Sequence, residues 1–155
     1  MLNDQRPTIR YPNPESHNTE IRCTRDNHSP VSTLERHAAS DPVDTGSLVL
    51  AAHEPARSFS QLGQESFTEL HRVTGQLESA LAKAFNYDKL NYLMLMMVDP
   101  DVHLHVIPRY AEPGDFNGVK FVDSGWSGAP DLNKATKTDA DTNRMIIDRL
   151  ASCWP

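Results

Sequence analysis

The stretch GQESFTELHRVTGQLESALAKAF, residues 63–85, sets the strictest condition on how this chain can fold. Phe67, Leu70, Val73, Leu77, Leu81 and Phe85 recur at spacings of three and four, so on a helix they form one apolar stripe. Gly75 weakens that helix only slightly, and His71 falls on its polar side. A stripe of this length needs a second layer to cover it, and the flanking sequence offers strands. Residues 47–52 form a short one, closed by Pro55. Residues 89–98, KLNYLMLMMV, set Tyr92, Met94 and Met96 against Leu93, Leu95 and Met97 on alternate faces. That pattern predicts a central strand covered on both sides, with its methionines in the core. Asp99-Pro100 breaks it, and the tight link favours antiparallel pairing with a strand in VDPDVHLHVIPRY, residues 98–110. Residues 119–122 supply a further strand. A last helix is expected near Thr138, where Thr138 and Asp141 fit a capping box, with Met145, Ile146 and Leu150 toward the core. This order is an α+β layer arrangement rather than alternating βαβ units.

The rest of the composition bounds the class. At 155 residues and 38% hydrophobic, the chain is one domain's worth with some sequence that never joins the core. Residues 1–42 carry Pro7, Pro12, Pro14, Pro30 and Pro42 among polar residues, and too few apolar side chains to offset their ordering entropy. They read as an irregular, partly disordered arm before a domain at 43–155, and His17, His28 and His37 in them as solvated. A formal charge of −6 provides no basic field to gather nucleic acid or an anionic membrane, although a phosphate-bearing small molecule needs only a local site. Cys23 and Cys153 form no CxxC pair, which argues against a disulfide framework or a cysteine-rich zinc site. No apolar run reaches the roughly 20 residues of a membrane span, and no signal-peptide pattern opens the chain. A cytoplasmic protein is the expectation.

The chemistry concentrates in residues 98–110. On a strand, Asp101, His103, His105 and Ile107 share one face, while Val102, Leu104 and Val106 share the other, which belongs to the core. Three uses of the polar row are open. Two histidines and a carboxylate are a ligand set for iron or zinc, although all three would come from one strand and Glu112 arrives late. A neutral imidazole can attack phosphorus, with a neighbour fixing its tautomer. Or the row binds without chemistry, as a nucleotide-binding or interaction surface.

VHLHVIPR and the strand before it resemble the histidine triad superfamily of nucleotide hydrolases and transferases, whose signature alternates three histidines with apolar residues. The order of the GxLVL strand, long helix, apolar strand and histidine strand agrees, over residues 44–110. The resemblance implies an antiparallel sheet with helices, a homodimer, a small-molecule nucleotide as partner, and no cofactor or metal. It implies that His103 is the nucleophile toward the α-phosphorus of a nucleoside conjugate, such as a dinucleoside polyphosphate or phosphoramidate. A nucleotidyl-histidine would form, and water would release a nucleoside monophosphate. His105 would lie against the nucleophile and the phosphate.

This chain also departs from the family pattern. Asp101 replaces the first histidine, Gly46 stands where the family has an upstream histidine, and Leu95 falls at the family's phosphate-contacting Asn. The Gly-Gln-Ser/Thr-Val segment before the triad has no counterpart in MMVDPDV. A carboxylate about 4 Å from a phosphate costs roughly 1 kcal/mol in water and about 4 kcal/mol at a dielectric of 20. Asp101 is therefore expected to turn from substrate and pair with an imidazole. Arg109 is a candidate phosphate clamp or a surface ion pair, and Asn91 a substrate contact or a structural residue. His53 is placed for phosphate or ribose, or is simply a loop residue, and Trp126 either caps the core or stacks on a base.

Overall fold

The computed structural model describes residues 45–52 and 54–155. The expected arm at 1–42 and His53 lie outside the described residues. In chain order the elements are β1 (Leu48–Ala51), α1 (Gln64–Phe85), β2 (Lys89–Leu93), β3 (His103–Arg109), β4 (Gly114–Phe116), β5 (Val119–Phe121) and α2 (Ala140–Cys153), with one 3-10 turn at Phe59–Gln61. β1, β3 and β2 form an antiparallel sheet in that spatial order, and β4 and β5 form a separate hairpin. The α+β expectation holds.

The helical stripe finds its cover on this sheet. Val73, Leu77, Ala80 and Leu81 pack on Leu48, Leu50 and Val106, with Leu104, Tyr92 and Leu90 around them. The register sets Leu48 opposite Val106 and Leu50 opposite Leu104, so one face of β1 and β3 becomes the floor under α1. α2 closes against α1, bringing Leu150 and Trp154 to the same cluster. The ends of α1 are made in different ways. Glu54 accepts from the Gly63 N–H at 2.9 Å and from the Ser66 hydroxyl, in place of a capping side chain at Gly63. Asn86, at φ 50°, terminates the helix in the left-handed conformation that Asn tolerates.

Three expectations change. The strand at 89–98 is neither central nor complete. β2 stops at Leu93 on the edge of the sheet, and Met96 turns to φ 42°. Met97 and Val98 are 86% and 96% exposed, with Met94 and Leu95 also on the surface, so these methionines are not core. The strand covered on both faces is β3, whose His103 and Ile107 are buried on one side and Val106 on the other. Its link to β2 is accordingly an excursion rather than a tight turn. Second, EPGDFNG contains a strand: Asn117 (φ 53°) and Gly118 (φ 77°) supply the two positive-φ positions of a hairpin turn joining β4 to β5. Third, α2 begins one residue past the expected capping box. Asp139 accepts from the Thr142 N–H at 2.7 Å, and Thr138 donates to the Asn143 side chain instead. That phase buries Ile146, Ile147 and Leu150 and leaves Met145 46% exposed.

The packing makes a direct contrast testable. Leu77→Ala, at a fully buried site, should cost about 3 kcal/mol in denaturant unfolding. Met145→Ala should change stability by less than about 0.5 kcal/mol. Equal effects would contradict the phase of α2.

Candidate active site

β3 carries both histidines at the end where the sheet opens. The β1–β3 ladder runs from Leu48↔Val106 to Ala51↔His103, and Ala52 N–H still donates to Val102 O at 3.1 Å. The Val102 N–H, however, donates to Ala56 O at 2.8 Å. Between those two bonds the chain leaves the ladder and returns to it at Ala56. Opposite it, the Asp99 carboxylate accepts from the Asp101 N–H at 3.0 Å and closes the bend that leads into β3. His103 starts the strand between these two loops.

His103 is 7% exposed, and its Nδ1 lies 2.8 Å from the main-chain oxygen of Asp101. A carbonyl oxygen can only accept, so Nδ1 carries the proton and Nε2 holds the lone pair. Nε2 has no partner among the described residues. It is not sealed either: among the described residues the one fully buried side-chain nitrogen or oxygen without a hydrogen bond is the Trp154 Nε1. The ring of His105 stands edge-on to that of His103, with centroids 5.1 Å apart. Burial, and then repulsion from His103, holds the His105 imidazole below its usual pKa, so it is neutral at pH 7. A ring with Nδ1 held by a carbonyl and an open Nε2, beside the His105 ring, is an arrangement suited to attack on an electrophile.

Asp101 reaches His103 through its backbone, not its carboxylate. The expected carboxylate–imidazole pair is absent among the described residues, because Asp101 lies in the bend before β3 rather than on the strand face. For the same reason the three-ligand row does not assemble, and among the described residues no three His, Cys, Asp or Glu side chains could hold a metal ion.

Arg109 and Asn91 are brought together, but away from the histidines. Six residues of strand, about 20 Å, separate Arg109 from His103. The Arg109 guanidinium is buried and each of its nitrogens is engaged: Nε and Nη2 donate to Asp123 at 2.6 and 2.9 Å, and Nη1 donates to the Asn91 side chain at 2.6 Å and Gly128 O at 3.1 Å. It is neither a surface ion pair nor a free phosphate clamp. Burial alone would raise the Asp123 carboxyl. The Arg109 guanidinium and the N–H groups of Tyr110 and Gly125 reverse that and hold it below the usual carboxylate range. Gly46 has a structural reason: at φ +83° a Cβ there would meet the Phe85 ring at 2.8 Å, so the site has no room for the family's upstream histidine. Trp126 is 38% exposed, on the surface of the segment after β5. Sequence reading passed over Glu54, Arg57 and Phe59, which follow β1 around the opened ladder. Phe59 lines a small pocket with His103 and Val102 and meets Phe67 edge-on at 5.1 Å. Their signal is weak, because nothing in residues 53–59 shows that the loop returns to Val102.

No protein-family model matches the sequence, and no curated protein matches it. Solved structures do. A histidine triad protein from Sinorhizobium meliloti superposes with a TM-score of 0.60 at 20% identity, covering 78% of this chain and 80% of that one. A histidine triad protein from Bradyrhizobium japonicum gives 0.59 at 19% identity, over 88% and 91%. A hypothetical histidine triad nucleotide-binding protein from Sulfolobus tokodaii gives 0.54 at 17%, over 78% and 74%. The chain therefore has the histidine triad fold.

Removing one partner of the buried ion pair isolates its role. Asp123→Asn should destabilise the fold by about 3–5 kcal/mol at pH 7 by leaving Arg109 uncompensated. The stability Asp123 contributes is complete above the unfolded carboxyl's value near 4 and is lost as pH falls through its lower folded value. Denaturation between pH 7 and pH 2 should thus show a shallower acid loss in the variant than in the native chain.

Proposed function

We propose that this chain is a nucleotide hydrolase or transferase working through a histidine nucleophile. Its substrate is a nucleoside conjugate, a dinucleoside polyphosphate or a phosphoramidate. The observation that carries the reading is the His103 Nδ1 contact to Asp101 O beside an unpartnered Nε2. Nε2 attacks the α-phosphorus, the bond from phosphorus to the leaving oxygen or nitrogen breaks, and the leaving group takes up a proton. Water then attacks phosphorus, breaks the P–N bond and releases a nucleoside monophosphate with His103 restored. The positive charge on the substituted ring is stabilised through Nδ1–H by Asp101 O. This explains how a first triad histidine can be dispensed with: a backbone carbonyl is supplied by any residue. His105, neutral and adjacent, is placed to donate a hydrogen bond to a phosphate oxygen. A likeness in fold to a structure named as a nucleotide-binding histidine triad protein supports the substrate class.

The partner in this reading is a small molecule rather than nucleic acid, and the working form is a cytoplasmic homodimer. The exposed Met94, Leu95, Met97 and Val98 favour the dimer. They adjoin β2, an edge strand among the described residues, and an apolar patch beside such an edge suits a second copy. Among the described residues no helix is long and apolar enough to cross a membrane.

Release of nucleoside monophosphate from a panel of both conjugate classes tests the chemistry. His103→Ala should reduce turnover by at least about a thousandfold. Asp101→Asn, which keeps the carbonyl, should change it by less than about tenfold, or 1.4 kcal/mol. A collapse in both variants would move the role of Asp101 to its carboxylate. For the assembly, light scattering should give twice the 17.4 kDa mass of the chain, with Met97→Asp shifting it toward the monomer. A native monomer would remove the dimer.

A further inference from the structure

We infer that Arg57 is the residue that binds the substrate phosphate, an inference that rests on reading His103 as a phosphate-directed nucleophile. A phosphate brought to Nε2 needs a cation, more so because the Asp101 carboxylate beside the nucleophile is neutralised by no described partner. Arg109 cannot serve, since its donors are held by Asp123, Asn91 and Gly128 far along the strand. Among the described residues His103 is bordered by the end of β1, residues 54–57 and the bend at 99–101. Among the described residues of these segments the one Lys or Arg is Arg57.

Its position is fixed from two sides. Ala56, the preceding residue, is 1% exposed and its carbonyl holds the N–H of Val102, the neighbour of His103. The Arg57 N–H in turn donates to the Gln61 side chain at 2.8 Å, so the backbone is pinned while the side chain is exposed. Among the described residues the guanidinium has no acidic partner. Glu54, the nearest carboxylate in the same loop, is committed to the start of α1 through Gly63 and Ser66, and those two bonds hold its carboxyl below the usual value. The loop that opens the ladder therefore carries an exposed arginine one residue beyond the Ala56 carbonyl that holds Val102, and a guanidinium is the type of group that recognises a phosphate.

Calorimetric titration with adenosine 5′-monophosphate and with adenosine, which differ only by the phosphate, tests this in the full chain. Arg57→Gln, Arg57→Lys and, as a control for net charge on a distant turn of α1, Lys83→Gln would be compared with native protein. The native chain should bind the monophosphate at least about tenfold more tightly than the nucleoside. Arg57→Gln should remove most of that preference, Arg57→Lys should keep part of it, and Lys83→Gln should keep all of it. An Arg57→Gln chain that melts like the native one and retains the preference overturns the assignment. Turnover measured alongside separates the two ideas. Conjugate hydrolysis with an unchanged preference in Arg57→Gln sinks Arg57 alone, whereas an Arg57-dependent preference without hydrolysis sinks only the catalytic reading.

Discussion

A strand hydrogen-bonded along both edges cannot slide without breaking two ladders at once, and β3 is held in that way between β1 and β2. Its side chains are gripped on both faces as well. Leu104 and Val106 sit in the layer under α1, and Ile107 and Arg109 are buried on the opposite side. The far end is tied by the buried Arg109–Asp123 pair, which also fastens β2 through Asn91. Breaking such a pair costs more than its presence gains, so its main effect is to fix one arrangement of the strand and the segment after β5. The histidines at the near end are carried on a strand held in this way.

The near end is built in the opposite manner, from loops. The β1–β3 ladder is released at Ala52 and caught again at Ala56, and the bend at Asp99 delivers the Asp101 carbonyl to the His103 ring. A main-chain acceptor does not depend on the side chain of the residue that bears it. That separates the orientation of the His103 ring from the identity of the side chain at position 101. The cations are divided along the same line: Arg109 is spent on the fold, while Arg57 is exposed in the loop after β1.

Much of this was legible in the sequence where periodicity governs. The helix at 63–85 and the alternation of His103 and His105 against Leu104 and Val106 depend on side-chain spacing, and both appear in the structure. The start of the terminal helix depended on which of two adjacent residues, Thr138 or Asp139, took the cap, and Asp139 does so. Residues 94–98 misled because their apolar alternation suits a buried strand, yet the chain leaves the sheet after Leu93 and exposes them. Arg109 misled for the converse reason. Its partner Asp123 is 14 residues away across a hairpin, a distance at which a sequence gives no pairing signal. The role of Asp101 could not be seen, since a backbone carbonyl has no letter of its own.

The most direct test of the account is to trap the covalent species. Native protein incubated with a nucleoside phosphoramidate would be quenched in base, where a phosphorus–imidazole bond survives, then digested and mapped by mass spectrometry. The account requires a nucleoside monophosphate adduct on the peptide bearing His103, attached at Nε2, and none in His103→Ala. Turnover without an adduct, or an adduct on His105 instead, would contradict it.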